Sequence, residues 1–139
     1  MIKEKSAGTV LFTQESSENL FLLLNYPGGH WDFVKGKIEN DESPEQTVIR
    51  ETKEETGITD IDFIKGFKEN IEYSFKFDGD IVQKEVVFFL AKTNTKKIEL
   101  SYEHLDYVWL DFTNALNKIT YDNAKNVLTK AKNYLQKLS

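Results

Sequence analysis

The sequence predicts an α+β or α/β/α pattern: a mixed β-sheet with helices packed on it. Three observations predict this. Strand-like runs dominate the first and middle thirds of the chain, one strongly signalled helix interrupts them at Ser43–Thr56, and a long amphipathic helix follows at Tyr121–Leu138. The 139 residues suit a single domain, 1–139, with no internal repeat, linker or low-complexity segment.

The elements follow in order. Ser6–Phe12 is β-branched and apolar and reads as a strand, Gln14–Asn19 as a polar turn, and Leu20–Tyr26 as the returning strand of a hairpin. Pro27, Gly28 and Gly29 stop it. A short aromatic segment, His30–Phe33, precedes a polar loop at Gly36–Asp41. Ser43 can cap a helix, Pro44 suits its first position and Gln46 completes a capping box; Gly57 stands where a left-handed residue ends it. Val48, Ile49, Thr52 and Thr56 form the arc expected to face the core. Two or three strands are expected across Ile61–Lys92, with a hairpin turn at Phe77–Asp80 and a doubly buried run at Glu85–Ala91. Tyr107–Leu110 is a last strand, Asp111 caps a short helix, and Ala124, Val127, Leu128, Ala131 and Leu135 share one face of the final helix.

Composition bounds the function. With no cysteine there is neither a disulfide framework nor a thiolate metal site, which fits a reducing compartment. No run approaches the roughly 20 apolar residues of a membrane span, and the N-terminus lacks a signal-peptide core. A soluble, cytoplasmic protein is expected. The net charge of −5, from 18 basic and 23 acidic residues, argues against an extended nucleic-acid surface. A small anionic ligand stays open, because a cation and a few local lysines can hold one.

The stretch that carries chemistry is Gly36–Ile58, GKIENDESPEQTVIRETKEETGI. Glu51 and Glu55 lie one turn apart on the helix and Glu54 flanks them, on the arc next to the apolar one. Like charges at this spacing destabilise a bare helix. They become favourable around a hard divalent cation, which wants oxygen ligands and bridges to phosphate oxygens. Arg50 is placed to brace carboxylates or the preceding loop through paired hydrogen bonds. An acidic helix face taken alone usually means solvated surface. Here seven residues (Gly36, Glu42, Arg50, Glu51, Glu54, Glu55, Gly57) stand at fixed spacing. At about 7% per residue type, such a match arises by chance at about 10⁻⁸ per starting position.

That spacing resembles the Nudix box, G-x5-E-x7-R-E-U-x-E-E-x-G-U with U a bulky aliphatic residue. Thr52 departs from the first U; its methyl still faces the core, so an effect on packing and none on chemistry is expected. The resemblance covers 23 of the 139 residues. It implies the Nudix fold and magnesium, with manganese as the alternative, held by Glu51, Glu54 and Glu55 with the Gly36 carbonyl. Glu42 would support the loop or a further ion.

Three further segments resemble the asymmetric diadenosine tetraphosphate hydrolases within that family. His30–Gly36, HWDFVKG, is similar to their His-Trp-x-x-Pro-Lys-Gly, with Val34 for the proline and so a less rigid loop expected. His30 and Lys35 would contact the phosphate chain. Gly66–Phe75 followed by Lys84 matches a Gly-Phe…Tyr…Lys spacing, making Tyr73 an adenine stacking face and Lys84 a phosphate contact. Ser101–Leu110, SYEHLDYVWL, resembles Ser-x-Glu-His…Tyr-x-Trp-Leu. It makes Glu103 an extra metal ligand or general base and His104 a phosphate or base contact. Tyr121 is the candidate second stacking face, and Trp109 reads as core. Apart from the resemblance, Tyr73 is an ordinary strand aromatic and Lys84 a solvated edge lysine.

The implied reaction is magnesium-assisted attack of water on diadenosine tetraphosphate, giving ATP and AMP, with Glu51, Glu54 and Glu103 as candidate catalytic groups. The alternatives within the family are RNA 5′-pyrophosphohydrolase and nucleoside triphosphate pyrophosphatase. The alternative outside catalysis is a nucleotide-sensing Nudix module, against which stands retention of every box glutamate. A monomer or homodimer acting on a small nucleotide, without a membrane, is expected.

Overall fold

A long strand, β1 (Ile2–Glu15), runs through an eight-stranded mixed sheet in the computed structural model, which describes residues 1–139. On one flank β1 pairs in parallel with β7 (Asp80–Lys92) from Ile2 to Phe12. Against β7 lie antiparallel β6 (Glu69–Phe77) and the short β5 (Asp62–Phe63). On the other flank the pairing forks. β2 (Glu18–Asn25) is antiparallel to β1 only over Phe12–Glu15. Into the gap beyond run β3 (Trp31–Asp32), paired with β2, and β4 (Val34–Lys37), paired with Ser6–Thr9 of β1. β8 (Asp106–Leu110) takes the other edge of β2.

Both faces of the sheet are covered, and side chains alternate between them with the period of two that strands impose. Val10, Phe12, Phe21, Leu23, Val86, Phe88 and Leu90 face α2 (Phe112–Lys118) and α3 (Asp122–Leu138). Leu11, Leu22, Leu24, Val87 and Phe89 face the opposite side, under α1 (Pro44–Thr56) and the chain around Ile58 and Ile98. The expected α/β/α sandwich around a mixed sheet is what forms. Of the run Glu85–Ala91, Val86 to Ala91 is buried as expected of a strand covered on both faces, whereas Glu85 is only half-buried.

Several boundaries differ from expectation. β1 and β2 extend into the segment read as a turn, leaving only Ser16 and Ser17 as the two-residue loop, both at positive φ (51° and 67°). That is the handedness a tight hairpin needs, and no glycine marks it. Asp78 and Gly79 make the same kind of turn (φ 52° and 81°) at the expected place. Gly36 and Lys37, read as loop, close β4 opposite Ala7 and Ser6. Val34 opens β4 opposite Thr9 and is fully buried, so strand pairing fixes the segment where a proline would have stiffened it.

α1 forms as its sequence signals. Ser43 Oγ accepts from the Gln46 N–H at 3.2 Å, Gln46 Oε1 accepts from the Ser43 N–H at 2.8 Å, and Gly57 closes the helix at φ 79°. Its buried face is the expected arc except at Ile49: Val48, Thr52 and Thr56 are buried as expected. Thr47, Val48, Thr52, Glu55 and Thr56 are buried, whereas Ile49 is exposed. The sheet beneath offers Ala7 and the glycine of β4, so the helix sits close on small side chains and threonines. It is rolled so that the Glu51–Glu55 edge, not Ile49, points at β4. Thr52 does face the core, as expected of its methyl.

Candidate active site

α1 and β4 meet at Gly36. A Cβ on that residue would collide with the Glu51 side chain, so a larger residue would displace that carboxylate from the β4 backbone. Arg50 organises the carboxylates. Its Nε and Nη2 donate to the two oxygens of Glu42 at 2.7 and 3.0 Å, Nη2 also donates to the Lys37 carbonyl at 3.0 Å, and Nη1 donates to Glu51 Oε1 at 2.6 Å and Glu54 Oε2 at 3.3 Å. Glu42 Oε1 additionally accepts from the Glu39 N–H and the Thr47 hydroxyl, at 3.1 and 2.8 Å. The carboxyl of Glu42 is thereby held down to about 2, chiefly by Arg50 and then by the Glu39 N–H. Glu42 ties the loop to the helix, and Arg50 braces both as its position suggested.

Glu55 is buried. His104 Nε2 lies 2.6 Å from its Oε1, and its Oε2 has no hydrogen-bond partner. Burial raises this carboxyl well above the usual range, and the neighbouring carboxylate of Glu51 adds to the effect, followed by Glu103 and Glu54. Glu103 stands on the loop before β8, across from Glu51 and Glu55.

These residues line one groove made of three adjoining cavities. The central one, about 440 Å³, is walled by Tyr26, Lys35, Gly36, Glu51, Glu55 and Glu103. Through Glu51, Glu55 and Glu103 it continues into an acidic cavity of about 380 Å³ that adds Arg50, Glu54 and Tyr102. Through Tyr26, Lys35 and Gly36 it continues the other way into one of about 350 Å³ lined by His30, Tyr73, Phe75 and Lys84. That end is cationic and aromatic. Lys35 Nζ pairs with Asp32 at 2.9 Å; burial alone would lower its pKa, but Asp32 and Tyr73 outweigh that and raise it. Tyr73 and Lys84 are directly paired across β6 and β7, and burial, then Lys35, lowers the Lys84 ammonium. A larger cavity, about 730 Å³, lies elsewhere, between the β1–β2 hairpin and the end of α3, and gathers no such cluster of carboxylates.

The sequence-derived candidates divide clearly. Gly36, Glu51, Glu55 and Glu103 meet in the central cavity, with Glu54 at the outer rim of the acidic one. His30, Lys35, Tyr73 and Lys84 meet at the other end. Tyr121, exposed at the start of α3, reaches the site through His30, their rings 5.6 Å apart. His104, expected as a phosphate or base contact, lines the central cavity with its ring turned inward onto Glu55, its side chain 3% exposed. Trp109 is half-buried and donates to the Lys96 carbonyl at 2.9 Å, as a packing residue would. Sequence reasoning missed Tyr26. Its ring stacks on His30 (4.9 Å, 9°) and meets His104 edge-on (4.6 Å, 89°), and its hydroxyl donates to the Phe33 carbonyl at 2.5 Å. A tyrosine at a strand end before Pro-Gly-Gly carries no signal of that role; only the fold brings the two histidines to it.

The carboxylates can hold a divalent cation. They do not converge on one point as a closed set of ligands, since Arg50 draws Glu51 and Glu54 to itself. The donors nevertheless fit a hard cation: all are carboxylate or carbonyl oxygens, and Glu55 Oε2 is a buried oxygen without a partner. A strand-bound glycine thus lies under paired helix glutamates, with lysines at the other end of the groove.

A mixed sheet between helix layers with this site defines the class, and the comparison with known sequences agrees. The chain belongs to the Nudix family, whose NUDIX domain matches residues 2–131. It is a phosphoanhydride hydrolase of that family, whose members use divalent metal ions. Among its relatives is the asymmetrical bis(5′-nucleosyl)-tetraphosphatase of Caenorhabditis elegans, 31% identical over 134 residues, spanning 94% of this chain and 96% of the relative. The enzyme of the same description from Sus scrofa is 35% identical over 121 residues, spanning 83% and 80%. The crystal structure of a C. elegans Ap4A hydrolase binary complex superposes with a TM-score of 0.85 at 32% identity, covering 96% of this chain and 98% of that one.

Proposed function

We propose that the protein hydrolyses diadenosine tetraphosphate asymmetrically, to ATP and AMP, with magnesium as its cation. The observation that carries this reading is the polarity of the groove, carboxylates at one end and His30, Lys35, Lys84 and Tyr73 at the other, over three adjoining cavities. A linear polyphosphate capped by adenosine fits that order. The lysines neutralise the chain, and Tyr73 and Tyr121 offer ring faces for the bases. Glu51, Glu54, Glu55 and the Gly36 carbonyl would hold the cation, with Glu103 facing them. Bound there, a divalent cation would screen the phosphate charge and supply an activated water for attack at phosphorus. Glu51, Glu54 and Glu103 are the groups placed to take the proton of that water. Lys35, fixed by Asp32, holds the substrate in line, so catalysis comes from positioning and charge complementarity. The relatives described as asymmetrical tetraphosphatases support the substrate.

The test is a substrate panel with product identification by anion-exchange chromatography: diadenosine tetraphosphate, triphosphorylated RNA and single nucleotides, each with magnesium and with EDTA. ATP plus AMP from the dinucleotide, lost in EDTA, is the expected result. Two molecules of ADP, or faster turnover of RNA or a mononucleotide, would overturn the proposal.

A further inference from the structure

His104 is unlike the other candidate residues. It lies on the loop that carries Glu103, yet its ring is buried against α1. Both members of the His104–Glu55 pair are nearly excluded from solvent, with side chains 3% and 5% exposed. Their remaining polar atoms, His104 Nδ1 and Glu55 Oε2, have no partner. The loop is latched to Glu55 at two points. The Ser101 N–H donates to the Glu55 carbonyl at 3.3 Å, and the His104 ring meets the Glu55 carboxylate at 2.6 Å. Between them, the Glu103 N–H donates to Ser101 Oγ and the His104 N–H to the Ser101 carbonyl, while the Leu105 N–H reaches Asn25 O at 2.9 Å.

We propose that His104 is a positioning residue: its Nε2–H occupies Glu55 Oε1, so that Oε2 alone is offered to the cation, and the same bond holds Glu103 across the cavity. The inference rests on Glu55 being a cation ligand. A ligating carboxylate is ionised and can only accept, so the proton of the 2.6 Å bond belongs to His104. Nδ1 then carries a lone pair, and the Tyr26 ring lies edge-on to the imidazole at 4.6 Å and keeps it from turning. One residue thus sets both the direction of a helix carboxylate and the reach of a loop carboxylate. Removing a partner that orients a metal ligand typically costs about 10- to 100-fold in metal affinity.

The experiment is Mn²⁺ titration by calorimetry on the free protein, comparing wild type with His104→Gln, His104→Asn and His104→Ala. Each variant's fold is checked by thermal melting. Glutamine can place an N–H where Nε2 lies; asparagine places its amide near Nδ1. Weakening of about 10-fold or more in the asparagine and alanine variants, with glutamine within about 3-fold of wild type, is the expected result. Equal affinity in all four would overturn the proposal, as would equal losses in glutamine and asparagine. If alanine does not fold, the glutamine–asparagine pair decides. In the wild type loaded with Mg²⁺, imidazole ¹⁵N shifts should show His104 protonated at Nε2; protonation at Nδ1 would overturn it without any variant. No Mn²⁺ binding by the wild type would instead sink the cation site itself, which separates the two failures.

Discussion

Arg50 and Glu54 show how one side chain divides its work. Arg50 commits two nitrogens to Glu42, and only its third reaches Glu51 and Glu54. Glu54 is correspondingly the most exposed of the cluster, so it contributes little to folding. Glu54→Gln is expected to lower turnover by about 10²-fold or more while stability stays within about 0.5 kcal/mol. Steady-state kinetics beside a thermal melt checks both halves; unchanged turnover would remove Glu54 from the site. Glu42 should behave in the opposite way. Its carboxyl is held near 2, below an ordinary value of 4.5, so its contribution to stability is complete above about 4.5 and disappears as pH falls toward 2. Glu42→Gln should therefore melt below the wild type at pH 7, and the two curves should meet near pH 2. A constant gap across that range would show that the ion pair is not the cause. The residues of the box were legible because each is constrained in a way that spacing records. His104 was legible as a site residue but not in its orientation, and Tyr26 was not legible at all, because burial and ring stacking are set by contacts between segments far apart in sequence.

At the scale of elements, α1 was readable because its ends are chemically marked. Ser43, Pro44, Gln46 and Gly57 fill the roles their types suggest. Ser43→Ala should cost about 1 kcal/mol, or about 3 °C of melting temperature, without touching turnover. Differential scanning calorimetry and a single assay measure this. A large loss of turnover would mean that the cap also positions the carboxylates. One position of the helix face, Ile49, was misread where periodicity was the only guide. Ile49 is exposed, and the buried arc is mostly threonine, because the sheet beneath presents Ala7 and Gly36 and admits the helix closely. Apolarity does not rank a threonine above an isoleucine; the shape of the partner surface does. The Ser16–Ser17 turn was blurred for a related reason, since two serines at positive φ do what glycine usually announces. The fork of β1 and β2, which brings β4 under α1, has no signature in one strand's sequence, because it depends on where two strands stop pairing.

Across the whole molecule, the fold brings mutually repelling carboxylates together and buries one of them. Glu55 has its pKa raised by burial and then by Glu51, so ionising it costs stability progressively as pH rises past the ordinary value of 4.5. A bound cation removes that cost by replacing the proton. Saturating Mg²⁺ should therefore raise the melting temperature more at pH 8 than at pH 5.5, which a melt at the two pH values with and without Mg²⁺ reads directly. An equal gain at both would mean that the cation binds away from Glu55. The order of the groove, acids at one end and lysines with tyrosines at the other, comes from the fork of the sheet on one side and the paired β6 and β7 on the other. The most direct test of the central claim is anomalous diffraction from crystals soaked in Mn²⁺. The account predicts a peak bounded by Glu51, Glu55 and the Gly36 carbonyl. No peak there, with Glu51 and Glu55 turned away from each other, would contradict it.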